Sequence, residues 1–363
     1  MLSAPISSQA VLVINPGSTS TKLAVYTRQG PLRESIVAHE SSVLNGLGNI
    51  NNQLDFRFSK LMDWISDFDD VNWIAAVGRG GLLGPLEGGT YRITQEMLSD
   101  LESGRFSYHA SNLGAMMAQR FADECGVPGF VVDPVTVDNF HLVARISGVP
   151  EIERRCRSHA LNIKAQAREV ANKLGKPLTH THFVVAHLGG GISVCALEGG
   201  RIIDVNDALL GMGPFSPERA GALPIGPLVD LAFSGKYTRE QLLQKLSRES
   251  GMVAYLGTND LREVERRIEE GDEEAEVIFS AMVYQIVKEI GAMAVVFHGE
   301  LDGVILTGGM VYSERLSEQL MSRVSFLGSV YRRPGELEMV ALAKGAFRVL
   351  DGEEEAKEYY SPQ

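Results

Sequence analysis

The sequence predicts an α/β fold of two domains, on three observations. The chain has 363 residues, which at roughly 100 to 200 residues per domain predicts two cores. A strand, polar turn, strand layout near the start recurs at mid-chain. Short apolar runs follow helical patterns, the order in which a sheet is covered on both faces.

The first layout consists of VLVI (11–14) and LAVY (23–26), β-branched-rich runs on either side of NPGSTSTK. Apolar spacing of three and four predicts helices over 95–103, 112–124 and 160–174, the last stopped by Gly175 and Pro177. Between them VNWIAAVG (71–78) and PGFVVD (128–133) read as buried strands. In the second half FVVAHL (183–188), three glycines, ISVCAL (192–197) and RIIDV (201–205) repeat the opening layout, which predicts a second domain of similar build. Thr238 with Gln241 predicts a capping box for a helix through Leu246. A core helix is predicted over 273–297, a strand running into a glycine pair over 303–310, and helices from about 313 and over about 336–350. The charged tail DGEEEAKEYYSPQ is predicted to fray. The expected domains are 1–155 and 156–340, a C-terminal helix over 340–360 completing the first.

With 46 Asp and Glu against 34 Lys and Arg, the net charge is -12. That disfavours a nucleic acid or an anionic membrane, which massed Lys and Arg would have to grip. A small anionic ligand stays compatible. Cys125, Cys156 and Cys195 are far apart and in no C-x-x-C spacing, so neither a disulfide framework nor a zinc knuckle is predicted, and a reducing cytosol fits. The start MLSAPISSQAVLVI lacks the basic and long apolar regions of a leader. Charge and Gly interrupt the longest apolar segments, so no membrane span is expected.

Three turns could hold phosphate. NPGSTSTK offers Asn15, Gly17, Ser18, Ser20 and Lys22, an amide, hydroxyls, a cation and a backbone open to close approach. It lacks the glycine before the lysine of a Walker A loop, and an ordinary polar hairpin is an equal reading. Gly189, Gly190 and Gly191 after His187 weaken a sheet unless something must come close, whether a ligand or a crossing strand. Thr307, Gly308, Gly309 and Met310 end a strand where nucleotides are met in α/β folds. One nucleotide site explains three such turns better than coincidence does. Arg79, Asp133, His187 and Arg219 stand at ends of apolar runs or in a Gly- and Pro-rich loop, where catalytic groups collect, although structural ion pairs occupy such places about as often. His159 opens a helix and could merely cap it; His180 and His182 have no partner at ligand spacing.

INPGSTSTK, VVDPV, SHALN, AHLGGGIS, GPFSPERAGALP and ILTGGM occur in this order over nearly the whole chain. The set resembles the acetate/butyrate kinase family, on its butyrate kinase side, within the superfamily of acetate and sugar kinases, heat-shock chaperones and actin. The resemblance implies two ribonuclease-H-like domains, each a mixed five-stranded sheet flanked by helices, with ATP and an acid meeting in an interdomain cleft. It implies phosphate motifs at Asn15 to Lys22 and His187 to Gly191, and an adenosine motif at Thr307 to Met310. Arg79 and Arg219 would hold the acid and the phosphoryl group, His159 would face the transition state, His187 would be the histidine of the second phosphate loop, and Asp133 with Glu338, or its neighbour Glu336, would surround Mg2+. The implied reaction is butyrate plus ATP giving butyryl phosphate plus ADP. Acetate-type members carry Val near Gly81 and Phe at Ser158; smaller residues here imply room for a longer acyl chain beside Pro214. Acetate, propionate or branched acids are alternative substrates, and a nucleotide-gated module of the actin or chaperone kind is the alternative from another class. A homo-oligomer is expected from the resemblance.

Overall fold

In a computed structural model that describes residues 8–68 and 70–362, the chain divides into two compact units, Met1–Val137 with Leu337–Gln363, and Asp138–Glu336. Residues 1–7 of the start read above lie outside the described residues. The first boundary falls at 137/138 and not at 155/156 because the intervening segment binds the second unit's sheet. His141 N–H donates to Ile203 O at 3.0 Å, and Arg154 pairs with Asp204 at 2.7 Å. The second boundary precedes the helix Glu338–Leu350, which packs on strands of the first unit.

The first unit's strands are β1 (Gln9–Pro16), β2 (Ser20–Thr27), β3 (Gly30–Ala38), β4 (Asn72–Gly78), β5 (Thr90–Arg92) and β6 (Gly129–Val132), in the sheet order β3-β2-β1-β4-β6-β5. Pairs β1/β2 and β2/β3 are antiparallel, β1/β4 and β4/β6 parallel. The short antiparallel β5 adds a sixth strand to the five expected. Val11 to Ile14 are fully buried, as a central strand covered on both faces requires.

The second unit repeats the five-strand pattern with β7 (His182–Leu188), β8 (Ile192–Glu198), β9 (Arg201–Val205), β10 (Gly303–Gly308) and β11 (Val330–Pro334), in the order β11-β10-β7-β8-β9. Again the first three strands run antiparallel and the last two parallel to the first. The opening hairpins correspond: Asn15 pairs with Lys22 and His187 with Ser193, one step before each ladder closes. The two halves therefore share a topology that their residue identities hide.

The helix Glu273–Ala294 continues in a 3-10 turn to Phe297, and by length and composition it could cross a membrane, contrary to the sequence reading. Its Phe279, Met282, Val283, Ile286 and Ile290 are buried in the second unit's core. The Thr238 and Gln241 capping box forms as predicted. The tail does not fray. Tyr359 is buried and its hydroxyl donates to Asp100 Oδ2 at 2.8 Å, while Lys357 N–H donates to Thr90 O at 2.8 Å.

Candidate active site

The first unit gathers its candidates where β1 and β4 end. In the turn after β1, Gly17 N–H donates to Ser20 O at 2.8 Å, and Ser18 and Thr19 face solvent. Asn15 is buried and donates through Nδ2 to Glu338 Oε2 at 3.0 Å. The other oxygen of Glu338 lies 3.1 Å from Arg79 Nη1. Glu338 thus bridges two candidates that lie far from it in the sequence, which separates its role from that of Glu336.

Arg79 follows β4 directly, held by its N–H to Ile14 O at 2.8 Å. The chain passes so close to the helix Asn112–Cys125 that a Cβ on Gly78 would stand 2.1 Å from Gly114 O. Arg79 is only 7% exposed, and its Nη1 has no hydrogen bond: the contact with Glu338 is an ion pair off the N–H direction. Burial of an unmatched donor is costly, which marks this guanidinium as waiting for an acceptor.

Asp133 is buried with φ at 40°, a left-handed backbone that stores strain in a non-glycine residue. Its Oδ1 accepts from Gly89 N–H at 2.8 Å, and its own N–H donates to Gly89 O at 3.0 Å. Among the described residues no three His, Cys, Asp or Glu side chains cluster as a metal cage. Mg2+ does not need one; it is commonly held by one or two carboxylates together with substrate phosphates. The hard oxygens of Asp133 and Glu338 suit that ion.

Gly81 departs from the sequence reading. A Cβ there would meet Asn112 Oδ1 at 2.3 Å and Leu101 Cδ2 at 2.8 Å. The missing side chain is replaced by protein, so Gly81 serves close packing and opens no acyl volume. Ser158 is half-buried, next to Cys156, whose thiol burial pushes up to about 12.

In the second unit His187, at the end of β7, stacks on His159 with ring centroids 3.9 Å apart and planes 8° from parallel. His187 Nδ1 receives Asn162 Nδ2 at 2.9 Å, and the same amide reaches Thr307 Oγ1 at 3.2 Å. Thr307 donates onward to Gly335 O at 3.0 Å, and His187 Nε2 lies 3.6 Å from Glu336 Oε1. With Nδ1 accepting, the proton of the neutral ring sits on Nε2. His159 Nδ1 meets Ser193 Oγ at 2.9 Å. These contacts tie the predicted phosphate and adenosine motifs together. Gly308 has no freedom to change, since a Cβ would stand 2.3 Å from Leu188 O.

Arg219 crosses the glycine turn. A Cβ on Gly191 would stand 2.1 Å from Arg219 Nη1, so Gly191 is the residue that lets the guanidinium through. Ser216 braces the loop: its Oγ donates to Gly190 O at 2.5 Å and accepts from Arg219 N–H at 3.1 Å. Arg219 Nε is buried without a hydrogen bond, and burial pulls the guanidinium pKa down. A small concavity beside it is lined by Ile192, Asn206, Pro214 and Ser216.

Sequence reasoning missed Arg57, Asn162 and Ser216. Arg57, in the helix Gln53–Ile65, is 1% exposed and donates to the carbonyls of Gly17, Ser18 and Ser20, each at 3.0 Å. Burial pushes its pKa down to about 10. Asn162 and Ser216 lie inside the quoted motifs SHALN and GPFSPERAGALP, a signal that was present but unused.

Residues 151–339 match the model of the Acetokinase family. The chain is 48% identical over 354 residues to a protein of Listeria innocua named probable butyrate kinase, covering 97% of this chain and all of that one. It is also 48% identical over 352 residues to a probable butyrate kinase of Listeria monocytogenes, covering 96% and 99%. Among solved structures it is similar to an acetate kinase of Porphyromonas gingivalis, with a TM-score of 0.77 at 19% identity over 94% of this chain and 100% of that one. A propionate kinase of Francisella tularensis gives a TM-score of 0.74 at 18% identity over 93% and 98%. At those identities the likeness establishes the actin-like fold.

Proposed function

The chain belongs to the Acetokinase family of ATP-dependent carboxylate kinases, and from that premise we propose that it transfers the γ-phosphoryl group of ATP reversibly to butyrate, giving butyryl phosphate and ADP. One observation carries the reading. Each unit holds an arginine with a buried guanidinium nitrogen that makes no hydrogen bond, Nη1 of the buried Arg79 in the first and Nε of the half-buried Arg219 in the second.

A carboxylic acid is ionised at pH 7, so its oxygen attacks phosphorus without a base. The difficulty is charge: an anion must approach a polyanion. Arg79 and Arg219 donate to the acid and to the equatorial oxygens of the phosphoryl group in flight, which lowers the barrier most where charge spreads in the transition state. Glu338 keeps Arg79 oriented until substrate arrives. Asn162 fixes the His187 ring so that Nε2–H can donate to a phosphate oxygen, and stacking keeps His159 parallel to it. Asn15, Gly17, Ser18, Ser20 and Lys22 bind phosphate in one turn and Gly189 to Gly191 in the other, while Thr307 to Met310 receive the adenosine. Mg2+, held by Asp133 and Glu338, supplies neutralising charge on the phosphates when bound. Pro214 provides an apolar wall for the alkyl chain.

Preference for butyrate rests on the names of the Listeria relatives and not on Gly81. A cytoplasmic homo-oligomer, acting on neither nucleic acid nor membrane, belongs to the same proposal. Hydroxamate trapping with ATP, Mg2+ and each of acetate, propionate, butyrate, isobutyrate and valerate tests it. The highest kcat/KM is expected on butyrate; acetate at or above butyrate would move the assignment to the acetate kinases, and no acyl phosphate from any acid would favour a nucleotide-gated module.

A further inference from the structure

We infer that Arg57 is a positioning residue that shapes the turn after β1 into an anion cradle, an assignment resting on the reading of that turn as a phosphate site. Arg57 is buried behind the turn and, among the described residues, pairs with no carboxylate. Its Nη1 donates to Gly17 O, Ser20 O and Thr21 Oγ1 at 3.0, 3.0 and 3.1 Å, and its Nη2 to Ser18 O at 3.0 Å. Gln53 Oε1 receives Nε at 3.1 Å and Nη2 at 2.9 Å, which fixes the plane of the fork. Thr21 is fixed in turn by His39, whose Nε2 is 2.8 Å from Thr21 Oγ1.

The consequence for a ligand follows from peptide geometry. A trans peptide points its C=O and N–H in opposite directions. Drawing the Gly17 and Ser18 carbonyls inward therefore turns the Ser18 and Thr19 N–H groups outward, on the exposed side of the turn. Successive outward N–H groups form a concavity suited to a phosphate oxygen. The guanidinium behind them is a positive charge in a poorly screened place, so its field adds to the peptide dipoles. A lysine could supply the charge but not the fork, having no planar array of donors to span three carbonyls.

The test compares Arg57→Lys, Gln53→Leu and Ser18→Ala for KM of ATP, KM of butyrate, kcat and melting temperature. Lost charge-assisted hydrogen bonds should raise KM for ATP roughly tenfold or more in Arg57→Lys, with KM for butyrate nearly unchanged and the melting temperature lowered, so that both constants are read well below the variant's own unfolding transition. Gln53→Leu, which leaves the arginine in place but frees its plane, should show the same split at a smaller size and covers the case in which Arg57→Lys does not fold. If Ser18→Ala weakens ATP while Arg57→Lys and Gln53→Leu leave its KM unaltered, the positioning role is overturned and the phosphate reading stands. If Ser18→Ala too leaves ATP binding unaltered, the phosphate reading of the turn fails, and the role of Arg57 with it.

Discussion

The guanidinium of Arg219 occupies the space in which a Cβ on Gly191 would stand, 2.1 Å from Nη1. The glycine-rich turn of the second unit is therefore shaped by an arginine of the same unit. Gly191→Ala should displace Arg219 and lower kcat/KM roughly 100-fold, the scale of losing a donor to transition-state charge. Steady-state kinetics with a parallel melting curve checks this, because a global loss of stability would instead lower the melting temperature and the active fraction together.

Gly81→Val should destabilise the first unit without narrowing acyl choice. The new Cβ would collide with Asn112 Oδ1 at 2.3 Å, and overpacking of this kind costs about 1 to 3 kcal/mol. Denaturant unfolding should show the loss, while the ratio of kcat/KM for butyrate over acetate stays as in the parent. A ratio shifted strongly toward acetate would restore Gly81 to the acyl pocket.

His39 gives the first unit an acid limit. Burial, with the positive charges of Arg57 and Lys60, lowers its pKa to about 4. Unfolded, the ring takes up a proton below about 6.5, so between these values the unfolded chain holds more protons and stability falls as pH falls. The loss is absent above about 6.5 and complete once pH is below about 4. His39→Gln keeps a polar partner for Thr21 and should flatten this part of the stability profile, as denaturant unfolding across pH 4 to 7 would register.

The C-terminal tail should prove structural. Tyr359→Phe removes the hydroxyl that donates to buried Asp100 and accepts from Gly84 N–H at 3.2 Å. A cost of about 1 to 3 kcal/mol is expected for leaving buried polar groups unmatched, read as a lower midpoint in denaturant.

Most of both sheets was legible because buried strands leave uninterrupted apolar runs, as at Val11 to Ile14 and Phe183 to Leu188. Strand β3 left no such run: GPLRESIVA is largely exposed, an edge strand with charge on both faces. Strand β11 was hidden by Arg332 and Arg333, which pair with Glu314 and Gln166 in the fold. The tail read as frayed because its anchors, Tyr359 on Asp100 and Lys357 on Thr90, lie far away in the chain. Within the site, residue types and turn positions were legible, but partnerships were not. No local pattern marks Arg57 as buried, since the carbonyls that hold it come from a turn well upstream. Gly81 misled because a glycine in a sequence shows an absent side chain and not what fills the space.

The most direct measurement is kcat/KM for butyrate and ATP in Arg79→Ala and Arg219→Ala beside the parent enzyme. The unmatched nitrogens of these two guanidinium groups predict a fall of roughly 100-fold or more in each variant, with folding intact by melting curve. Near-full activity in either would contradict the account and remove that arginine from the reaction.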